Sequence, residues 1–196
     1  MDIRESLVGK DMRQKRKNRI YLSIYVMIIL VLLLIIVMNV FVYFNVCIDG
    51  VSMYPTVDNG DVVKANRYGM PRRGDIVVIE KIDGDDSYNI VKRIIAMEGD
   101  HIEIKDGKVF LNDELLKEKY IKDNPDTQMI DESETWGDVD LIVPENKIFY
   151  LGDNRLNSID SREDGVADIS QVKGVIEGWT IATRGIRTFF YNLFLR

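Results

Sequence analysis

The sequence has 196 residues, enough for one globular domain with an anchor and too few for two globular domains. Its formal net charge of −6 is unevenly laid out: residues 1–19 carry seven Lys/Arg against three Asp/Glu, residues 45–196 nineteen against twenty-nine. An acidic domain argues against a nucleic-acid partner, which needs a basic face, and a lone cysteine, Cys47, excludes an intramolecular disulfide, so the fold must stand on its hydrophobic core.

Ile20 to Phe44 is an uncharged run in which only Ser23 and Asn39 are clearly polar. Its 25 residues reach about 37 Å as a helix, enough to cross a bilayer core of about 30 Å with tilt. A cleavable signal would have a shorter apolar stretch ending in small residues, whereas Asn39 to Phe44 is bulky throughout, so the run reads as an uncleaved anchor. Lys10, Arg13, Lys15, Arg16, Lys17 and Arg19 precede it, and the first basic residue after it is Lys64. That asymmetry predicts one span with the N-terminus cytoplasmic and residues 45–196 outside the membrane. Tyr21, Tyr25, Tyr43 and Phe44 fall where interfacial aromatics belong. Cys47 is expected to pack inertly; acylation is disfavoured because no small residues precede it.

Beyond Phe44 the pattern is of short strands: Asp61–Asn66, Asp75–Glu80, Tyr88–Ala96, Ile102–Ile104, Val109–Leu111, Lys147–Leu151 and Gly174–Thr180. Asp106-Gly107 between two apolar runs predicts a two-residue type I′ hairpin. Val57–Gly60 and Met70–Gly74 read as turns. Glu114–Lys122 has weak helical character, and Tyr120–Leu141, polar and aperiodic, reads as a surface excursion. Thr183–Arg196 mixes Arg with aromatic and aliphatic residues, which suits either an interfacial segment or a last element packed on the core. The fold class is therefore mainly β on a single N-terminal transmembrane helix, divided as a basic segment 1–19, an anchor 20–44 and a domain 45–196.

A serine hydroxyl needs a base within hydrogen-bond reach to act as a nucleophile. The only histidine, His101, follows Gly99-Asp100 at a strand start and reads as structural. A lysine can be the base if burial keeps it neutral. Lys92 lies in a strand-like stretch among Val91, Ile94 and Ile95, although strand alternation decides which of these share its face. By spacing alone a strand lysine is an exposed charge. What reverses that is the ordered occurrence of Ser52-Met53-Tyr54-Pro55-Thr56, Val91-Lys92-Arg93, Gly152-Asp153-Asn154-Arg155 and Ser158-Ile159-Asp160-Ser161-Arg162.

At these residues the chain resembles type I signal peptidase, the bacterial membrane protease that removes secretory leader peptides, over roughly residues 49–174. The resemblance implies an antiparallel β-sheet catalytic core, Ser52 as nucleophile and Lys92 as general base. It implies that Met53 and Pro55 shape the nucleophile loop and that Ser158 orients the lysine. It further implies that Asp160 and Arg162 form a supporting charged pair, with Asp153 in the same cluster and Arg93 structural, paired with Asp153. The sequence departs from the family pattern at three places. Gly50 stands where some members have a serine that donates to the oxyanion hole, which leaves more of that work to the Ser52 N–H. Ala96 and Glu98 replace frequent Gly and Pro, and Glu163-Asp164 replaces a frequent aromatic after Arg162.

The implied function is a membrane-bound serine endopeptidase cleaving signal peptides from exported preproteins that have small residues at the first and third positions before the cut. Such a peptide would add as a strand to a sheet edge. Partners are then preproteins, the lipid bilayer and, as a further candidate, the secretion machinery. Two alternatives remain: a catalytically idle relative acting in assembly, which would be expected to have lost Ser52 or Lys92, and a repressor-type Ser/Lys self-cleaving protease, against which the anchor argues. No metal set and no phosphate loop is present, since scattered acids such as Asp83, Asp85 and Asp86 read as a solvated turn. No cofactor is implied.

Overall fold

The computed structural model describes residues 3–121 and 139–194. It divides into two compact units, residues 1–42 and 43–196. The first is one helix, α1 (Ile3–Val42). Within it Met12–Val42 is long and apolar enough to cross a membrane. The two polar residues of the apolar run do not interrupt it: Ser23 Oγ donates to Arg19 O (3.0 Å) and Asn39 Nδ2 to Ile35 O (3.1 Å). Each thus spends its polarity on a carbonyl of its own helix. Tyr43 and Phe44, expected to close the anchor, instead open the first strand, because Tyr43 pairs with Asn66 and Phe44 with Ala65.

The second unit is built of antiparallel strands. A seven-stranded sheet has the order β1-β2-β11-β3-β4-β9-β10, from β1 (Tyr43–Cys47), β2 (Val62–Asn66), β3 (Ile76–Asp83), β4 (Asp86–Met97), β9 (Lys147–Leu151), β10 (Ala167–Asp168) and β11 (Val172–Ile176). A four-stranded sheet has the order β7-β6-β5-β8, from β5 (His101–Lys105), β6 (Lys108–Leu111), β7 (Glu114–Leu115) and β8 (Val139–Ile142). Short helices α2 (Ser161–Asp164) and α3 (Gly178–Ala182) precede a longer one, α4 (Arg184–Phe194). The mainly-β reading holds.

Local chemistry accounts for the connections. Asp106 and Gly107 have φ of 48° and 68°, the paired positive values that a type I′ hairpin requires. Asn112 and Asp113 repeat the device with φ of 53° and 66° and bring back β7, so Glu114 and Leu115 are extended rather than helical. The stretch read as a surface excursion lies outside the described residues over 122–138. Its ends are not loose, since Tyr120 is largely covered and β8 pairs with β5 from Ile104↔Val139 to His101↔Ile142. The strand expected over Gly174–Thr180 stops at Ile176. Thr180, fully buried, donates through Oγ1 to Lys64 O (3.2 Å) and Glu177 O (2.8 Å), and this pull turns the β-branched segment into α3.

Three apolar clusters form the core. Met53 and Val57, 1% and 0% exposed, lock the 50–57 loop into the first of them, with Ile48, Val63, Ala65, Ile76, Val78 and Ile176. Burying two side chains of that size stabilises by about 3–6 kcal/mol, which fixes the loop that carries Ser52. The second cluster lies between the sheets, with Ile95, Ala96, Phe149 and Leu151 against Ile102, Ile104, Val109 and Val143. The third joins Val77, Ile79, Ile94, Ile148 and Tyr150. Cys47 does not pack inertly as expected; it is exposed at the end of β1.

Candidate active site

Lys92 sits in the middle of β4, paired across the ladder with Val77. Alternation puts Ile94 on its side of the strand and turns Val91 and Ile95 to the other. Val77 and Ile94 are both fully buried, and Lys92 itself is 4% exposed. Burial lowers the Lys92 pKa from its ordinary value to about 8; Asp160 opposes that shift and Arg162 reinforces it. Lys92 Nζ donates to Ser158 Oγ at 2.9 Å. With one hydrogen committed to Ser158, a neutral amine has its lone pair free for a proton from another direction.

Ser52 is half-buried and lines, with Lys92, one cleft of about 300 Å³. Phe44–Asp49 and Asn89–Lys92 line it, together with Met53 and Val78. The peptide groups flanking Ser52 are clamped. Val51 O accepts from Tyr54 N (3.0 Å) and from Asn154 Nδ2 (3.2 Å), and Ser52 O accepts from Asn154 N (3.0 Å). Fixing the Val51 carbonyl fixes the opposite direction of the same peptide plane, along which the Ser52 N–H points. That donor is thus preorganised, as an oxyanion site needs.

The loop after β9 ties these segments together. Asp153, fully buried, takes the Arg93 guanidinium in a bidentate pair (Nε to Oδ1 2.8 Å, Nη2 to Oδ2 2.6 Å) and a short hydrogen bond from Thr56 Oγ1. One carboxylate therefore joins the Ser52 loop to the strand next to Lys92. Asp160, also fully buried, accepts from Gly152 N (2.9 Å) and holds Arg162 through Nε (2.8 Å) and Nη2 (2.9 Å). It caps α2 as well, receiving Glu163 N and Asp164 N on its carbonyl. Pro55 sits half-buried behind Tyr54 in the same loop. The polar pair that replaces the expected aromatic is partly used: Asp164 lies 3.0 Å from Lys81 Nζ and accepts from the Tyr150 hydroxyl at 3.3 Å.

Four contributors have little or no signal in the sequence. Asn154 lies inside the motif Gly152-Asp153-Asn154-Arg155, and that is its only signal. Thr56 closes the serine motif. Glu118 forms a buried pair with Arg155, whose Nε also donates to Gly152 O (3.0 Å). Tyr120 donates to Glu118 (2.7 Å) and presents its ring to the Arg93 guanidinium at 3.9 Å. Nothing in the pattern of residues 114–122 announced those two contacts.

Gly152 is the tightest point. A Cβ there would lie 2.2 Å from Ser158 Oγ and 2.5 Å from Ser52 O. Both atoms belong to the constellation, and neither is the end of a flexible chain. Gly152→Ala is therefore expected to cost about 1–3 kcal/mol of stability and at least about tenfold in any peptide hydrolysis that Ser52 carries, because a small misplacement of reacting groups is costly. Denaturant unfolding and a peptide assay check the two. An alanine variant with unchanged turnover would show that Ser52 and Ser158 need not sit where they do.

His101 is elsewhere, on β5, with Nδ1 3.0 Å from Asp113 and Nε2 2.8 Å from Asp140. Those two hydrogen bonds, Asp140 first, raise its pKa and favour the protonated ring. It has no lone pair to offer in that form.

Comparison with known proteins gives matching results. The family model described as "Signal peptidase, peptidase S26" matches residues 21–179. Signal peptidase I U of Bacillus subtilis (strain 168) is 35% identical over 160 residues, 79% of this chain and 83% of that protein. Signal peptidase I S of the same organism is 38% identical over 143 residues, 68% and 74% of the two chains. The crystal structure of a signal peptidase I from Enterococcus faecalis V583 is 28% identical, with a TM-score of 0.46, covering 56% of this chain and 98% of that one.

Proposed function

The chain belongs to the signal peptidase family, peptidase S26, and as such is a serine endopeptidase acting on signal peptides; we propose that it does so through Ser52 and Lys92. The observation that carries this is the buried Lys92 amine, held on Ser158 in the cleft it shares with Ser52. Neutral Lys92 takes the proton from Ser52 Oγ as that oxygen attacks the scissile carbonyl carbon. The oxyanion is met by the Ser52 N–H. Collapse breaks the C–N bond, and the Lys92 ammonium returns its proton to the leaving amine. Lys92, neutral again, then deprotonates a water that attacks the Ser52 ester and frees the serine.

The cleft supports an extended peptide as substrate. Among the described residues β1 pairs only with β2, and the Asp86–Val91 half of β4 only with β3, because β9 joins β4 from Arg93 onward. Two strand edges thus face the cleft with backbone groups available for a third strand. Small side chains at the first and third positions before the cut suit a cleft of this volume. The substrates are exported preproteins, and the secretion machinery is the further partner. The basic residues at the N-terminal end of α1, with no basic residue from 20 to 63, support a cytoplasmic N-terminus and a catalytic unit outside.

The test is the rate of leader-peptide cleavage against pH, with the detergent-solubilised full chain. Only neutral Lys92 is reactive, so the rate should fall about tenfold per pH unit below the lysine's pKa and level off above about 8. His101→Ala should leave that limb in place. No cleavage at any pH, or a limb that vanishes with His101, would defeat the proposal.

A further inference from the structure

Helix α4 has two differently placed faces. One is tied to the domain: Thr188 Oγ1 accepts from Val62 N at 2.9 Å, and Arg184 Nε lies 2.9 Å from Asp61 Oδ2. The other carries Ile186, Phe189, Phe190 and Leu193, spaced i, i+3, i+4 and i+7 and 65%, 64%, 52% and 60% exposed. A continuous apolar stripe open to water marks a surface that something covers.

Its attachment says what. Tyr43, the residue directly after α1, packs edge-on against Trp179 with ring centroids 6.1 Å apart. The Arg187 guanidinium of α4 lies 4.6 Å over the same indole. Two ring contacts therefore tie α4 to the point where the chain leaves the apolar helix. The residue paired with Tyr43 is Asn66, and the loop that follows exposes Tyr68 (74%) and Met70 (81%). Beside them, Arg67 lies 4.6 Å over the Phe44 ring. Aromatics, methionine and arginines gathered at the end of a membrane-crossing helix have the chemistry of the headgroup region.

We infer that α4 is an in-plane membrane helix whose stripe of Ile186, Phe189, Phe190 and Leu193 lies in the outer leaflet of the bilayer that α1 crosses, with Arg187 at its anionic headgroups. A second copy of the chain is the weaker occupant, because four side chains along about 10 Å of helix are far short of a stable protein interface. The bilayer, by contrast, is always within reach, since β1 follows α1 without a linker and Tyr43 packs on the Trp179 indole next to α4, which makes partitioning effectively intramolecular. The consequence is a second tether next to the cleft. Ser52 lies eight residues beyond Phe44, and docking α4 would keep it at a set height above the lipid, where a leader peptide emerges.

The inference rests on α1 spanning the bilayer, and the experiment separates the two. The full chain with Cys47→Ser is reconstituted in phosphatidylcholine–phosphatidylglycerol vesicles with one added cysteine carrying a polarity-sensitive fluorophore: Leu193→Cys on α4, Val31→Cys in α1, or Lys108→Cys on β6. Lipids brominated near the headgroup or near the chain end act as quenchers. Val31 should be quenched best by the deep bromines, Leu193 several-fold more than Lys108 and best by the shallow ones, as expected for a helix buried about 5–10 Å into the interface. A quenched Val31 with Leu193 no different from Lys108 overturns the inference alone. An unquenched Val31 overturns the span itself. A Leu193 probe shielded from water but unquenched by lipid, and changing as protein is diluted in lipid, assigns the stripe to a second copy and also overturns it. Activity gives an independent arm. Phe189→Ser with Leu193→Ser should slow cleavage of a membrane-inserted preprotein several-fold and leave a soluble leader peptide untouched, whereas equal loss on both substrates would make the stripe part of the fold.

Discussion

Ser52→Ala and Lys92→Met are each expected to lower leader-peptide cleavage by about four to six orders of magnitude, and the double variant should be hardly worse than either, because nucleophile and base act as a unit. Additive losses in the double variant, or Ser52→Ala turnover above about a hundredth of wild type, would remove Ser52 and Lys92 from the chemistry. The lysine variant makes a second, opposite prediction about stability. Lys92 has its folded pKa lowered to about 8 from 10.5 by burial. Between those values the unfolded chain binds more protons than the folded one, so stability rises with pH across that window. Below about pH 8 the folded state carries the whole penalty of a buried ammonium, about 3 kcal/mol from the shift. Lys92→Met removes that penalty and loses the bond to Ser158 (2.9 Å), worth about 1 kcal/mol. Denaturant unfolding at pH 7 should therefore find the inactive Lys92→Met chain more stable than wild type, by about 2 kcal/mol, with the difference shrinking towards pH 10. A less stable methionine variant at pH 7 would mean that Lys92 is not held as a desolvated amine.

The strands could be read in the sequence because most of them alternate or run apolar between Gly, Asp and Asn signals. Lys147–Leu151 came out with the same bounds in the structure, and Asp106-Gly107 announced its hairpin through the one turn type that wants those residues. The misses have a common cause in contacts between distant segments. Thr180 reads as a strand residue until Lys64 O draws its hydroxyl inward, and β7 and β8 exist because β6 and β5 offer them an edge. The site shows the same division. Motif order marked Ser52, Lys92, Asp153, Ser158, Asp160 and Arg162. What it could not carry is who binds whom: that Thr56 closes on Asp153, that Asn154 clamps both peptide groups of Ser52, and that Glu118 and Tyr120 reach the cluster from a segment whose only signal is a weak helical pattern.

Asp160→Asn is expected to destabilise the fold by about 3–5 kcal/mol, the usual effect of breaking a buried ion pair from one side. Asp160 is fully buried, and both it and the Arg162 side chain, 0% and 2% exposed, are removed from water. An amide keeps the shape and can still accept from Gly152 N, but it removes the countercharge that Asp160 supplies to the guanidinium. Arg162→Met in the Asp160→Asn background should therefore restore much of the loss, since a buried pair replaced on both sides is often close to neutral. Lys92 supplies a second readout that a purely structural role would not move. The Asp160 carboxylate is the largest charge holding the Lys92 pKa up against burial. Neutralising it lets desolvation and Arg162 push the pKa lower still, so the acidic limb of the rate profile should move to lower pH even as the plateau falls. The double variant also removes the Arg162 charge, which itself lowers the Lys92 pKa, and its limb should lie back towards the wild-type position. Unfolding curves and pH–rate profiles of the three variants decide it. A limb that stays fixed in Asp160→Asn would confine Asp160 to scaffolding, and a double variant as unstable as the single one would place the loss at the Gly152 N–H instead of the ion pair.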